Sequence, residues 1–223
     1  PVRPGVAPET VRPEWGRDYY FFEHSYRVFA SDSESGTLFL CQQVKVEDDD
    51  CQAWTFRDAS GRWTRNGVLR FPVRGCYPMV ALRNGAATVV AVGDIDEPNP
   101  EWHKVKKMAT GTEWDFDFRQ LYLTRTTDIS RKDFAPPTVI VSRDETCGMI
   151  FHRDLRIGPD GDAHVLYVER NIWHRSVRDA FFPEHQIVQS IGYCRVRNGA
   201  VTARRTLMSA VERADRRVSA LAN

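Results

Sequence analysis

The sequence has no apolar run near the roughly 18 residues of a membrane-spanning helix, so no membrane span is expected. It lacks net charge as well: Lys+Arg total 31 against Asp+Glu 30, leaving +1 over 223 residues. Nucleic-acid binding would need a basic excess gathered on one face, so no nucleic-acid partner is expected. The basic bias of Arg195–Arg217 is local, and Arg204-Arg205 reads as part of a solvated edge strand. No CxxC, HxH or HExxH spacing occurs, so neither a structural zinc, another metal site nor a cofactor is predicted. The five cysteines (Cys41, Cys51, Cys76, Cys147, Cys194) are an odd number. They read as one or two disulfides or as plain buried thiols. The chain starts at Pro1 without a Met or a signal peptide, so it reads as a processed or excised piece. The compartment stays open, with a secreted or periplasmic one preferred.

What is present is a globular composition, 42% hydrophobic and 27% charged, in a chain long enough for a substantial core. Leu155–Arg170 (LRIGPDGDAHVLYVER) has two period-2 runs around Pro159-Asp160-Gly161-Asp162, the pattern of a β-hairpin. Met79–Asp94 (MVALRNGAATVVAVGD) repeats it. Aligning Gly85 with Gly161 superposes Ala87 on Ala163, Val89 on Val165 and Val92 on Val168. A second, more polar hairpin also recurs, at 51–69 and 187–208, with Gly61 matching Gly199. An apolar hairpin followed by a polar one is the pattern of a four-stranded propeller blade. The alternative is a β-sandwich with chance similarity among short strands.

The predicted fold is therefore an all-β propeller of about three blades, at 19–72, 77–142 and 152–208. Propellers close with about four to eight blades, so part of a larger propeller is expected, with further blades from the rest of the chain or another subunit. Residues 1–16, with four prolines, read as an irregular arm, residues 17–208 as the partial propeller, and residues 209–223 as a helical connector or tail. Tyr19–Ala30 reads as a strand, Pro72–Pro78 as a connection, and Ile95–Trp114 and Asn171–His185 as long insertions.

Two stretches, Thr112–Ser130 (TEWDFDFRQLYLTRTTDIS) and Phe181–Leu207 (FFPEHQIVQSIGYCRVRNGAVTARRTL), resemble bacterial BNR-repeat-containing proteins of the sialidase-like β-propeller group. The resemblance covers about Tyr77 to Met208 and implies a carbohydrate partner, a polysaccharide or oligosaccharide. It does not choose a reaction. The Asp-box pattern is degenerate, since Asp32–Phe39 keeps the Gly and an aromatic while Ser142–Thr146 keeps Ser and Asp without the Gly. The sialidase arginine triad and Tyr/Glu pair have no counterpart that can be assigned.

If the key hairpins are the inner strands, their glycine turns lie on one face of the disc and both insertions on the other. That second face would collect Tyr77, Asp94, Arg119, His152, Glu169, Arg170, His103, His174, Arg175, Arg178 and His185. Two chemistries suit it. β-Elimination on a uronate needs a cation for the carboxylate and a base for the α-proton: Arg119 with His152, and Tyr122 or Tyr77 to protonate the leaving oxygen. Hydrolysis needs two carboxylates flanking the bond, for which Asp94 and Glu169 are the candidates. Tyr77, Arg170, His174 and Arg178 are the candidate substrate contacts. For Arg119 the structural alternative is an ion pair with Asp117; for His174, Arg175 and Arg178 it is the wet side of a short helix. The functional reading is a glycoside hydrolase or uronate lyase, and the alternative is a non-catalytic module that binds glycans or a protein.

Overall fold

The computed structural model describes residues 7, 10–21, 26–113 and 116–212. Its strands form three antiparallel sheets, each in chain order. Blade I is β1 (Arg27–Asp32), β2 (Thr37–Val46), β3 (Asp49–Arg57) and β4 (Trp63–Leu69). Blade II is β5 (Arg74–Arg83), β6 (Ala86–Asp96), β8 (Gln120–Thr126) and β9 (Thr138–Ser142), with the short β7 (Phe116–Asp117) paired to the end of β6. Blade III is β10 (Met149–Ile157), β11 (Ala163–Arg170), β12 (Val188–Arg197) and β13 (Ala200–Val211). Helix α1 (Pro100–Thr110) fills the first insertion and α2 (Arg175–Phe181) the second.

The first strand of each sheet is the innermost. β5 lies against both β1 and β10, and one groove of about 430 Å³ is lined from all three, by residues such as Phe29, Val80, Leu82, Leu155 and Ile157. The repeated hairpins are thus the inner strands of neighbouring blades, as the sequence predicts. The chain is three blades of a β-propeller.

The blades stack through two apolar layers. Phe39, Cys41, Trp54 and Phe56 of blade I meet Val80, Leu82, Ala87 and Val89 of blade II. On the other side of blade II, Val90, Val92, Leu121 and Leu123 meet Leu155, Ile157, Ala163 and Val165 of blade III. Each Val, Leu, Ile or Phe among these, fully buried, contributes about 1.5–3 kcal/mol. The repeat register is therefore physical: Ala87 and Val89 face the preceding blade, and so do Ala163 and Val165. At the β5–β6 turn Asn84 and Gly85 both have positive φ (48° and 77°), the backbone that a two-residue hairpin demands.

Some expectations change. β5 begins at Arg74, inside the stretch read as a connection. A bulge between Cys76 and Met79 accommodates Pro78, and Tyr77 takes φ 50° there. Among the described residues of Tyr19–Ala30, strand begins at Arg27. Ser209, read as the start of a helical tail, lies in β13, which ends at Val211; residues 213–223 lie outside the described residues. Residues 10–21 carry no strand or helix, and their rings pack on the outward face of blade I. Trp15 and Tyr19 cover Val44, Cys51, Ala53 and Val68, and the Thr55 hydroxyl donates to the Glu14 carbonyl at 2.6 Å.

Candidate functional site

The antiparallel register sorts the candidates by end. Asp94 pairs with Arg74, and Glu169 with Ile150, at the strand ends away from the Gly85 and Gly161 turns. Asn84, Gly161 and Asn198 line one depression on the turn side. At the loop end, Asp94 and Glu169 are each held by an arginine of their own. Asp94 accepts from the Cys76 thiol (3.4 Å) and pairs with Arg74 (3.3 Å), while burial raises its pKa. Arg143 grips Glu169 with two contacts, 2.9 and 2.7 Å.

His152 is 4% exposed and lies parallel to the Phe151 ring, centroids 5.4 Å apart. Burial pushes its pKa down to about 4, against a hydrogen bond to the Tyr77 backbone that works the other way. Its Nδ1 is buried and has no hydrogen-bond partner among the described residues. Tyr77 stands beside it in an aromatic group with Tyr26, Phe118 and Phe151, at centroid distances of 4.3, 5.7 and 5.1 Å. His152 and Tyr77 are thus brought together at the start of the inner strands.

Arg119 belongs to a different cluster. Its Nη2 donates to Glu97 and, at 2.6 Å, to Asp117. Lys106 of α1 donates to the same two carboxylates, at 3.3 and 2.6 Å. All four charged groups are buried. Burial opposes the charge on Arg119, and Asp117, Cys147 and Glu97 together outweigh it, so the pKa rises. The ion pair weighed against a catalytic role for Arg119 is present. Glu97, Asp117 and Cys147 place ligand atoms within 4.8 Å of one another. Two cations already balance the two carboxylates, so the set does not fit a divalent metal.

This cluster fixes α1 as the wall of a cavity of about 840 Å³, within the usual range for small-ligand sites. Arg119 and Tyr122 line it, together with Gly93, Asp96, Asn99, Trp102, Gln120 and Asp144. The Tyr122 hydroxyl donates to Gln120 Oε1, and Gln120 Nε2 donates to Asp144 Oδ2. Ser142 Oγ reaches the same carboxylate oxygen at 3.3 Å. Tyr122 is buried, which raises its pKa. Trp102 is half-buried, with the Arg119 guanidinium 5.1 Å from its ring centroid. Asp94, His152 and Glu169 do not line this cavity. The elimination set is therefore split, with Arg119 and Tyr122 here and His152 beside Tyr77.

The other candidates lie in blade III and its insertion. Arg170 donates to the Ile172 carbonyl and to Glu212, and sits 5.5 Å from the Trp173 ring centroid. With Phe151, Arg153 and Trp173 it lines a smaller cavity of about 290 Å³. His174 is the residue before α2, Arg175 pairs with Glu212 at 2.9 Å, and Arg178 pairs with Asp179 at 2.6 Å. The His185 ring meets Phe182 edge-on at 5.8 Å. Asp96, Trp102, Gln120 and Asp144 line the large cavity without having been singled out from sequence. Each sits in or beside a polar loop, where pattern carries no sign of function.

No protein-family model matches the chain, and no curated protein does. Among solved structures it is similar to the subtype N10 neuraminidase-like protein of A/little yellow-shouldered bat/Guatemala/060/2010, at 12% identity and TM-score 0.42. That match covers 87% of this chain and 46% of the other. It is also similar to the GH93 alpha-L-arabinofuranosidase of Fusarium graminearum, solved in complex with arabinobiose, at 10% identity and TM-score 0.39. There the coverage is 77% of this chain and 45% of the other. The chain thus spans about half the length of these structures, and its chemistry rests on its own residues.

Proposed function

We propose that this chain binds carbohydrate, with a neutral saccharide seated in the cavity between α1, β6 and β8. The carrying observation is the chemistry of the lining. Trp102 supplies a half-buried ring, and the Tyr122–Gln120–Asp144 chain holds a carboxylate ready to accept from sugar hydroxyls. The cation of that lining, Arg119, is spent on Glu97 and Asp117, while Asp96 and Asp144 add negative charge. Such a site repels a uronate, which counts against the lyase reading of Arg119. The sialidase-like, BNR-repeat resemblance of Thr112–Ser130 and Phe181–Leu207 agrees with a carbohydrate partner.

Calorimetry with glucose-, xylose- and arabinose-based oligosaccharides, set against uronate oligomers, tests this. Neutral sugars should bind and uronates should not. Trp102→Ala and Asp144→Asn should each weaken binding by about tenfold or more, roughly 1.4 kcal/mol. A preference for uronates, or two variants that bind like the parent, overturns the proposal. A second reading is hydrolysis, because Asp96 and Asp144 line one cavity. A reducing-end assay that responds to the parent and not to Asp96→Asn or Asp144→Asn would establish it.

A further inference from the structure

At the opposite end of β6 and β8 from the saccharide cavity, the glycine turns of blades II and III enclose a depression of about 480 Å³. Small-ligand sites run to roughly 300–1,000 Å³. Strand alternation decides which side chains reach it. On blade II, Ala81, Val90, Leu121 and Leu123 face blade III. The period of two puts Arg83, the last residue of β5, and Arg125, near the end of β8, on that same side. Both line the depression, and both are half-buried.

These two cations have no counter-charge. Neither has a carboxylate partner among the described residues, and each keeps its Nε buried without a hydrogen-bond partner there. Arg125 Nη2 donates to the Gly161 carbonyl at 2.9 Å, which ties the side chain to the turn of blade III. The carboxylates of the depression are already answered. Asp162 is 2% exposed and sits in a bidentate grip from Arg197, 2.8 Å to each oxygen, with Arg195 3.6 Å away. Asp160 stands 3.6 Å from Arg197. Asp32 accepts from the Asn84 amide at 2.7 Å, and Asp128 from the Ser130 hydroxyl at 2.6 Å. Thr127 lines the depression and accepts from Lys132 at 3.2 Å, so its own hydroxyl proton remains to be given.

We propose that this depression binds a phosphate group, held by the guanidinium forks of Arg83 and Arg125. A partly buried cation without a counter-charge is costly, and two that line one depression also repel each other. A ligand anion removes both costs. Two positive charges call for a dianion. A phosphate monoester carries about −1.5 to −2 at pH 7, and its oxygens match the planar fork of arginine. A carboxylate brings a single charge. The volume leaves room for the molecule that carries the phosphate.

Calorimetry on the full chain at pH 8 and low salt tests this, with inorganic phosphate and glycerol phosphate as probes and acetate as the control. Both phosphates should bind at least tenfold more tightly than acetate, and sodium chloride should weaken them. An ester that binds as tightly as the free ion, or more tightly, identifies a carried phosphate as the ligand; an ester at least tenfold weaker identifies inorganic phosphate. Arg83→Gln and Arg125→Gln should each lower phosphate affinity at least tenfold. Arg125→Gln also loses the Gly161 contact, so Arg83→Gln, which breaks no such bond, guards against misfolding. Arg62→Gln, on an exposed turn of blade I, should bind like the parent. No binding of either phosphate overturns the proposal. So does acetate binding as well as phosphate, an Arg83→Gln variant that binds like the parent, or a loss in Arg62→Gln as large as in Arg83→Gln.

Discussion

His152 is neutral because its ring is enclosed, and the one polar contact that favours its charge among the described residues is the Tyr77 backbone. A histidine with a pKa of about 4 in the fold and about 6.5 in the unfolded chain binds its proton more readily when unfolded. Stability is then full above the unfolded value and is lost as pH falls from about 6.5 toward 4, by about 3 kcal/mol at most. Urea unfolding at pH 7, 6 and 5 should show this loss, and His152→Gln should flatten it. A parent with no pH dependence over that range would contradict the neutral assignment. At Gly192 the constraint is steric: a Cβ there would overlap the Tyr167 ring. Gly192→Ala should cost about 1–3 kcal/mol. Tyr167→Leu should make the second substitution much less costly, which a double-mutant cycle would read.

At the scale of elements, α1 is anchored by the buried Lys106 amine and by Trp102 and Val105, which pack on Cys147, Ile172, Val177 and Ile187. Lys106→Met leaves Glu97 and Asp117 with Arg119 as their one cationic partner among the described residues, and breaking a buried pair in this way typically costs about 3–5 kcal/mol. Denaturant unfolding should show that loss, together with faster amide exchange in Pro100–Thr110. The sequence offered the Arg119–Asp117 pair but not Glu97 or Lys106, which come from an insertion and its helix and join that pair only in the closed fold. The hairpins were legible because period-2 alternation and glycine turns are local. The alignment of Gly85 with Gly161 even gave the correct face for Ala87, Ala163, Val89 and Val165. The start of β5 was not legible, because Pro78 hides the strand that a bulge carries past it.

For the whole molecule, the apolar layers decide how the thiols behave: Cys41, Cys76 and Cys194 lie between blades, Cys51 under Trp15 and Tyr19, and Cys147 beside α1 and α2. All five cysteines are free and buried. Burial raises each thiol, to about 12 for Cys41, Cys76 and Cys147 and about 11 for Cys194. A thiol reagent at pH 8 should find almost none reactive in the native protein and all five after unfolding. Rapid native labelling at Cys76 or Cys194 would mean that the layer between blades II and III opens. The sequence left disulfides and free thiols as alternatives, because pairing depends on distances that only the folded sheets fix. Register puts Asp94 and Glu169 at the strand ends away from the glycine turns, where the hairpin pattern placed them, but composition could not show that their partners would differ.

Trp15 and Tyr19 do for part of the outward face of blade I what the next blade does for blade II: rings from outside the sheet seal Val44, Cys51, Ala53 and Val68 from water. Removing the two rings would leave that apolar patch as an adhesive surface.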